Sequence, residues 1–170
     1  ELVWKIFSPL VEEVVLGNKK SKLLLVNFLT LLNNLCVNSS QNVLESVCKS
    51  KVVAVLANVM FECPQSSLLV HGVAELIKSC LVSQCDELRM QACGEEVMGR
   101  VVESILKDEK RASLSFPYYV LIVRAAQTNK YKDVQEQLLK LKNWESKELE
   151  KVMDETNKEQ ETPLGGKKPE

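Results

Sequence analysis

From Lys22 to Val37 the chain reads KLLLVNFLTLLNNLCV, with apolar residues at Leu25, Leu29, Leu32 and Cys36 and with Val26 and Leu35 flanking them. Spacings of three and four put these side chains on one face of an α-helix. A shift of 44 positions, the distance from Val26 to Val70, lands on SLLVHGVAELIKSCLV, Ser67 to Val82. There Leu25, Val26, Leu29, Leu32 and Cys36 become Leu69, Val70, Val73, Leu76 and Cys80. Five apolar positions in one register predict an internal repeat.

The rest of the pattern fits units built on that period. Residues 1–17 read as helix with a break at Ser8-Pro9, where Ser8 can cap and Pro9 can take the first helical position, and Gly17-Asn18 supplies the stop. The helix over 22–36 ends at Asn38-Ser39-Ser40. A short helix at about 40–49 follows, carrying Val43, Leu44 and Val47 inward. The helix over 51–62 has Val52, Val53, Leu56, Ala57 and Met60 apolar and is ended by Pro64. The second unit repeats this order. One helix runs from Ser66 or Ser67 to about Ser83, and a short one at 86–93 carries Leu88 and stops at Gly94. A helix over 95–107 then sets Val97, Met98, Val101, Val102 and Ile105 against the five apolar residues of 51–62, at an offset of 45.

A third, looser unit follows the charged connector Asp108–Arg111. It comprises a helix over Leu114–Thr128 with Tyr118, Val120, Leu121 and Ile122 apolar, and a stretch over Lys130–Lys142 with Tyr131, Val134, Leu138 and Leu141 on one face. Trp144 marks a corner before a polar helix over Ser146–Asn157 that carries Leu149, Val152 and Met153. The remaining KEQETPLGGKKPE is polar and rich in Gly and Pro, and reads as a disordered or extended tail. No segment alternates as a strand would.

The expected fold is therefore all-α, an armadillo/HEAT-like right-handed superhelix of stacked helical repeats. Its repeat domain covers 1–157, with units at about 22–63, 66–107 and 114–157 and an incomplete leading unit at 1–17; the tail covers 158–170. The third helix of each unit should line one surface. With the apolar residues turned inward, its outward set is Lys51, Asn58 and Glu62, then Arg100, Glu103 and Lys107, then Lys147, Glu150 and Asp154. These nine are the candidate partner-binding residues.

Composition narrows the function. A chain of 170 residues can bury roughly 70% of its unfolded surface, enough for a core without staples. Net charge is −1, with Lys and Arg scattered rather than striped, so nucleic acid is not an expected partner. The apolar runs are short and broken by Asn, Thr, Ser and Lys, so no membrane span is expected, nor is a signal peptide. The chain opens at Glu1 inside an apolar pattern and lacks a starting Met, and is expected to come from something longer. The six cysteines, at 36, 48, 63, 80, 85 and 93, mostly occupy apolar helix positions, where a free thiol behaves as a small hydrophobe. There is no CxxC pair, and the single His71 does not complete a zinc set, so no metal or other cofactor is expected. A reduced protein of the cytoplasm, or also of the nucleus, follows.

No catalytic constellation stands out, and the chain is expected not to be an enzyme. His71 has no nucleophile arranged beside it. Glu95-Glu96 and Glu148-x-Glu150 are paired carboxylates in spacing only, which solvated helix faces explain. Gly165-Gly166 lacks the strand-turn-helix setting of a phosphate loop. Gly72 and Gly99 sit inside helices at a cost of about 1 kcal/mol each against Ala, for which close helix approach is the usual reason. Asn33-Asn34, a polar pair in an apolar helix, reads as an end cap or a bond to the next unit. Trp4 and Trp144 read as packing anchors.

The second half resembles the C-terminal part of the SAPS domain of regulatory subunits of protein phosphatase six-type Ser/Thr phosphatases. That family has a Pro- and Asn-containing turn, then Leu-His and a Val-rich helix; here stand Cys63-Pro64-Gln65-Ser66-Ser67-Leu68-Leu69-Val70-His71 and Val73. It then has Gly-Tyr-Met-Gly-His-Leu before a helix with Ile-Ala, where this chain has Pro117-Tyr118-Tyr119-Val120-Leu121, then Ile122 and Ala125-Ala126. A Trp-led helix ending in Glu-Thr-Asn corresponds to Trp144-Glu145 and Glu155-Thr156-Asn157, and some members close as Leu164-Gly165-Gly166 and Pro169 do. The resemblance covers roughly residues 22–170. It implies a non-catalytic scaffold that binds a Ser/Thr phosphatase catalytic subunit and its substrates. The subunit-three class of protein phosphatase four has similar helical repeats, and a generic armadillo module of another assembly, in trafficking or ubiquitin transfer, is the remaining alternative.

Overall fold

The computed structural model describes residues 9, 12–13, 19–108 and 113–161. Every regular element among them is helical. Pro9, Glu12 and Glu13 are helical. The remainder of the expected leading helix, with Trp4 and the Gly17-Asn18 stop, lies outside the described residues, as do 109–112 and the tail from 162 with Gly165-Gly166.

The helices are α1 (Lys19–Asn38), α2 (Gln41–Lys49), α3 (Val52–Glu62), α4 (Ser67–Leu81), α5 (Asp86–Ala92), α6 (Arg100–Lys107), α7 (Phe116–Gln127), α8 (Lys132–Leu138) and α9 (Lys147–Glu161). Expected helices and observed ones coincide closely, with local differences that have physical causes. The helix expected over 95–107 opens as a single π-helical turn, Glu95–Gly99, before α6 begins. α9 runs to Glu161, past Asn157 and into the expected tail. Val43 is exposed rather than inward, because the buried stripe of this short helix carries Leu44 and Cys48 and Val43 falls to one side of it. Leu121, one of the apolar residues of α7, is exposed, while Phe116, Tyr119, Val120, Ile122, Val123 and Ala126 form its buried face.

Corners are set by residues that tolerate unusual backbone. Lys51, at φ 53°, separates α2 from α3 in the left-handed region, at a cost of roughly 1–2 kcal/mol for a residue with a Cβ. Asn143, at φ 66°, turns the chain just before Trp144, and Asn occupies that region more readily. Pro117 sits in the first turn of α7, where its missing N–H goes unused.

α4 is the centre of the core, packing against α1, α3, α5 and α7. Having neighbours on several flanks, it buries eight residues: Leu69, Val70, Val73, Ala74, Leu76, Ile77, Cys80 and Leu81. α1 buries Leu25, Leu29, Leu32 and Cys36, while Leu23, Leu24 and Leu31 on its other flank are exposed. Helix contacts also run in three series. α1 lies on α4 and α4 on α7; α2 lies on α5 and α5 on α8; α3 meets the π turn before α6, and α6 meets α9. Gly72 allows a close approach of α4 to α1, since a Cβ there would stand 3.0 Å from Leu29 Cδ1.

Candidate interaction surface

Polar ties join the stacked helices. Ser79 donates from its hydroxyl to Asn33 Oδ1 across α1 and α4, so Asn33 bonds to a neighbouring helix. Gln91 donates to the Cys48 carbonyl at 2.9 Å, and Asn129 to the Leu81 carbonyl at 2.7 Å. Arg100 donates to Asn58 Oδ1. Arg89 is the most heavily tied residue. Only 5% exposed, it gives Nε and Nη2 to Asp133 Oδ2 at 3.0 and 2.6 Å, Nη2 to Asp86 at 2.8 Å and Nη1 to the Ser83 carbonyl at 2.7 Å, and it lies 4.0 Å over the Tyr131 ring. These cross-links join residues between 42 and 48 positions apart, Arg89's bonds to Asp86 and Ser83 excepted.

The nine candidate residues occupy α3, α6 and α9 and the corner before α3. Lys51, Asn58, Glu62, Glu103, Lys107, Lys147, Glu150 and Asp154 are exposed. Arg100 is half-buried and its charge is spent internally: besides Asn58, its guanidinium lies 4.2 Å over the Phe61 ring, which in turn stands 5.9 Å from Tyr119. Glu103 and Lys107 form an ion pair at 2.8 Å, and Lys107 holds the Glu103 carboxyl below its ordinary range. Lys51 lies apart from the others, over a groove of about 220 Å³ with Met90, Gln91, Glu95 and Glu96. Glu150 and Asp154 line a cavity of about 350 Å³ with Gln127, Trp144, Glu145 and Met153. The structure thus brings Asn58 to Arg100 and Glu103 to Lys107, and sets Glu150 and Asp154 on one groove; it does not gather all nine into one site. The pattern of apolar positions gave no hint of Gln127 or Glu145, which belong to a helix end and a turn.

The other candidate chemistry resolves simply. His71 is exposed, its ring 5.7 Å from that of Tyr118. Glu95, Glu96, Glu148 and Glu150 are exposed helix residues. Gly99 does not mark a close helix: a Cβ there would stand 2.6 Å from the carboxyl group of Glu95, the end of an exposed side chain in the same π turn. The cysteines are free thiols, all buried except the half-buried Cys63. Burial pushes Cys48 up to about 12, with Glu87 adding to the effect, and pushes Cys93 up to about 11. Among the described residues no cluster of His, Cys, Asp or Glu could hold a metal ion, and no helix is long and apolar enough to cross a membrane.

Comparison with family models, with curated proteins and with solved structures finds no match.

Proposed function

We propose that this chain is an armadillo/HEAT-like helical-repeat scaffold and that it serves as part of a regulatory subunit of a Ser/Thr protein phosphatase. The observation that carries the scaffold reading is the like-on-like order of packing, α1–α4–α7 beside α2–α5–α8, tied by side chains 42 to 48 positions apart. A repeat unit cannot bury its own apolar face, and stacking neighbours in register is what buries it. The phosphatase reading rests on the resemblance to the SAPS domain, through Cys63–Val73 and the Trp144 helix. Binding is by surface recognition on the exposed residues of the third helices, where rigid stacking holds Glu62, Glu103, Lys107 and Lys147 ready at little entropic cost. The chain does no chemistry in this reading and takes no cofactor; it acts in the cytoplasm or nucleus.

A second reading, a generic armadillo module of another assembly, is favoured by one departure. Pro117-Tyr118-Tyr119-Val120-Leu121 lacks the Gly-Tyr and His-Leu of the central SAPS motif. Affinity capture of the full-length protein from its own cells separates the two. Recovery of a phosphatase catalytic subunit is expected; its absence, with other partners recovered, sinks the phosphatase reading and leaves the scaffold. Charge reversal at Lys107 and Lys147 should weaken capture of the partner with the helical circular-dichroism signal unchanged. Arg100 is unsuited to that test because its head group is bonded within the fold.

A further inference from the structure

We propose that Cys36 and Cys80 form a redox-sensitive pair, oxidised by a peroxide to a disulfide that fastens α1 to α4. Their sulfurs stand 3.9 Å apart across the packed helices, in thiol contact and unbridged. Gly72 sets α4 close against Leu29 of α1 about two turns from the sulfurs on each helix, and both cysteines are buried in the seam between the two helices.

Access comes from one side. Cys36 lines a cavity of about 450 Å³ with Leu44, Ser79, Val82, Lys130 and Tyr131, large enough for a peroxide molecule; Cys80 lies behind it, fully buried. This asymmetry assigns the roles. The Cys80 S–H group donates to Cys36, which lowers the Cys36 thiol and raises that of Cys80, so the reachable sulfur is also the one that ionises first.

The chemistry balances with hydrogen peroxide as the oxidant. The Cys36 thiolate attacks one peroxide oxygen and the O–O bond breaks. Hydroxide leaves and takes up the proton lost by Cys36, giving water and Cys36 sulfenic acid. The Cys80 sulfur then attacks the Cys36 sulfur, the S–O bond breaks, and the Cys80 proton leaves with the hydroxyl as a second water. Two thiols are oxidised and one peroxide is reduced to two waters. The bridge closes a loop of some 44 residues, which restricts the unfolded chain far more than the folded one.

The test is to treat the folded full chain with hydrogen peroxide and map disulfides by tandem mass spectrometry under non-reducing conditions. The expected result is a Cys36–Cys80 linked peptide, a raised melting temperature, and reversal of both by a thiol reductant. In Cys80→Ala the same treatment should leave Cys36 as a sulfenic acid trapped by dimedone, and in Cys36→Ala it should leave Cys80 reduced. Both variants keep an apolar side chain, and dimedone capture is read by mass rather than by stability. Oxidation of half-buried Cys63 with no Cys36–Cys80 link, or dimedone labelling of Cys80 ahead of Cys36, overturns the proposal. Neither outcome bears on the phosphatase reading, because the pair lies between first helices and away from the third.

Discussion

At the residue scale, Arg89 shows how a charge is kept inside an apolar layer. Each of its three nitrogens donates, in four bonds to two carboxylates and a carbonyl, and its flat face meets Tyr131. The two carboxylates are not equivalent. Asp133 is about one-third exposed and takes two of the bonds, whereas Asp86 is 81% exposed and takes one. Asp133→Ala should therefore cost about 2 kcal/mol, somewhat below the usual penalty for stranding a buried charge because Asp86 remains. Asp86→Ala should cost less than about 0.5 kcal/mol, as exposed pairs do. Urea midpoints of the two variants check this, and equal losses would mean that the bonds do not rank by burial. Arg89 was not legible beforehand: a cation between Leu88 and Met90 in a short helix looks like a surface residue, and its partner lies 44 positions away. Cys36 and Cys80 were legible as matching apolar positions 44 apart, but not as thiols that face each other.

The buried thiols make a second prediction at this scale. Cys48, about 12 against an ordinary 9.0, keeps its proton in the folded chain after the unfolded chain has lost it. Its contribution to stability is therefore whole below pH 9 and is lost as pH rises from 9 toward 12; Cys93 behaves alike up to about 11. The melting temperature should fall through this window, and fall less in Cys48→Ala/Cys93→Ala. An equal fall in the double variant would assign the alkaline loss to other groups, such as Tyr119, whose phenol is also raised by burial.

At the element scale the two helical glycines serve opposite ends, though the sequence presents them alike. Gly72→Ala gains about 1 kcal/mol of helix propensity, but its Cβ meets Leu29 Cδ1 at 3.0 Å and Leu29 Cβ at 3.4 Å inside a filled core. Overpacking of that kind costs about 1–3 kcal/mol, so the net effect should be a loss of about 1 kcal/mol. Gly99→Ala meets only the end of an exposed Glu95 side chain, which can swing into water. It should stabilise by up to about 1 kcal/mol. Thermal melts of the pair decide it; a loss at Gly99 would show that the π turn itself requires glycine. What periodicity captured was the buried stripe of each long helix, since three-and-four spacing reports burial directly. The π turn and the outward Val43 and Leu121 were beyond it, because a single turn or a crowded flank is settled by neighbours rather than by the local pattern.

At the scale of the whole molecule, the order of packing makes stability depend on position in the stack. α4 has α1 on one side and α7 on the other and also touches α3 and α5, while α9 touches α6 as its chief neighbour and, among its described side chains, buries only Leu149, Met153 and Thr156. In a stack where each layer holds only its neighbours, opening an end layer breaks one interface and opening the middle breaks two. Amide hydrogen exchange should therefore rank α4 slowest, with protection approaching that of global unfolding, and α9 fastest through opening of the last layer alone. The same reasoning extends to a sensitive variant: Leu76→Ala, in the fully buried middle of α4, should cost about 2–5 kcal/mol and speed exchange in every layer, whereas Leu149→Ala should speed exchange mainly in α9. Uniform exchange across α4 and α9, or a Leu149→Ala effect that spreads evenly to α1, would mean the helices form one indivisible globule. Layered exchange would instead place the most adaptable surface at α9, where Glu150 and Asp154 meet the Trp144 groove.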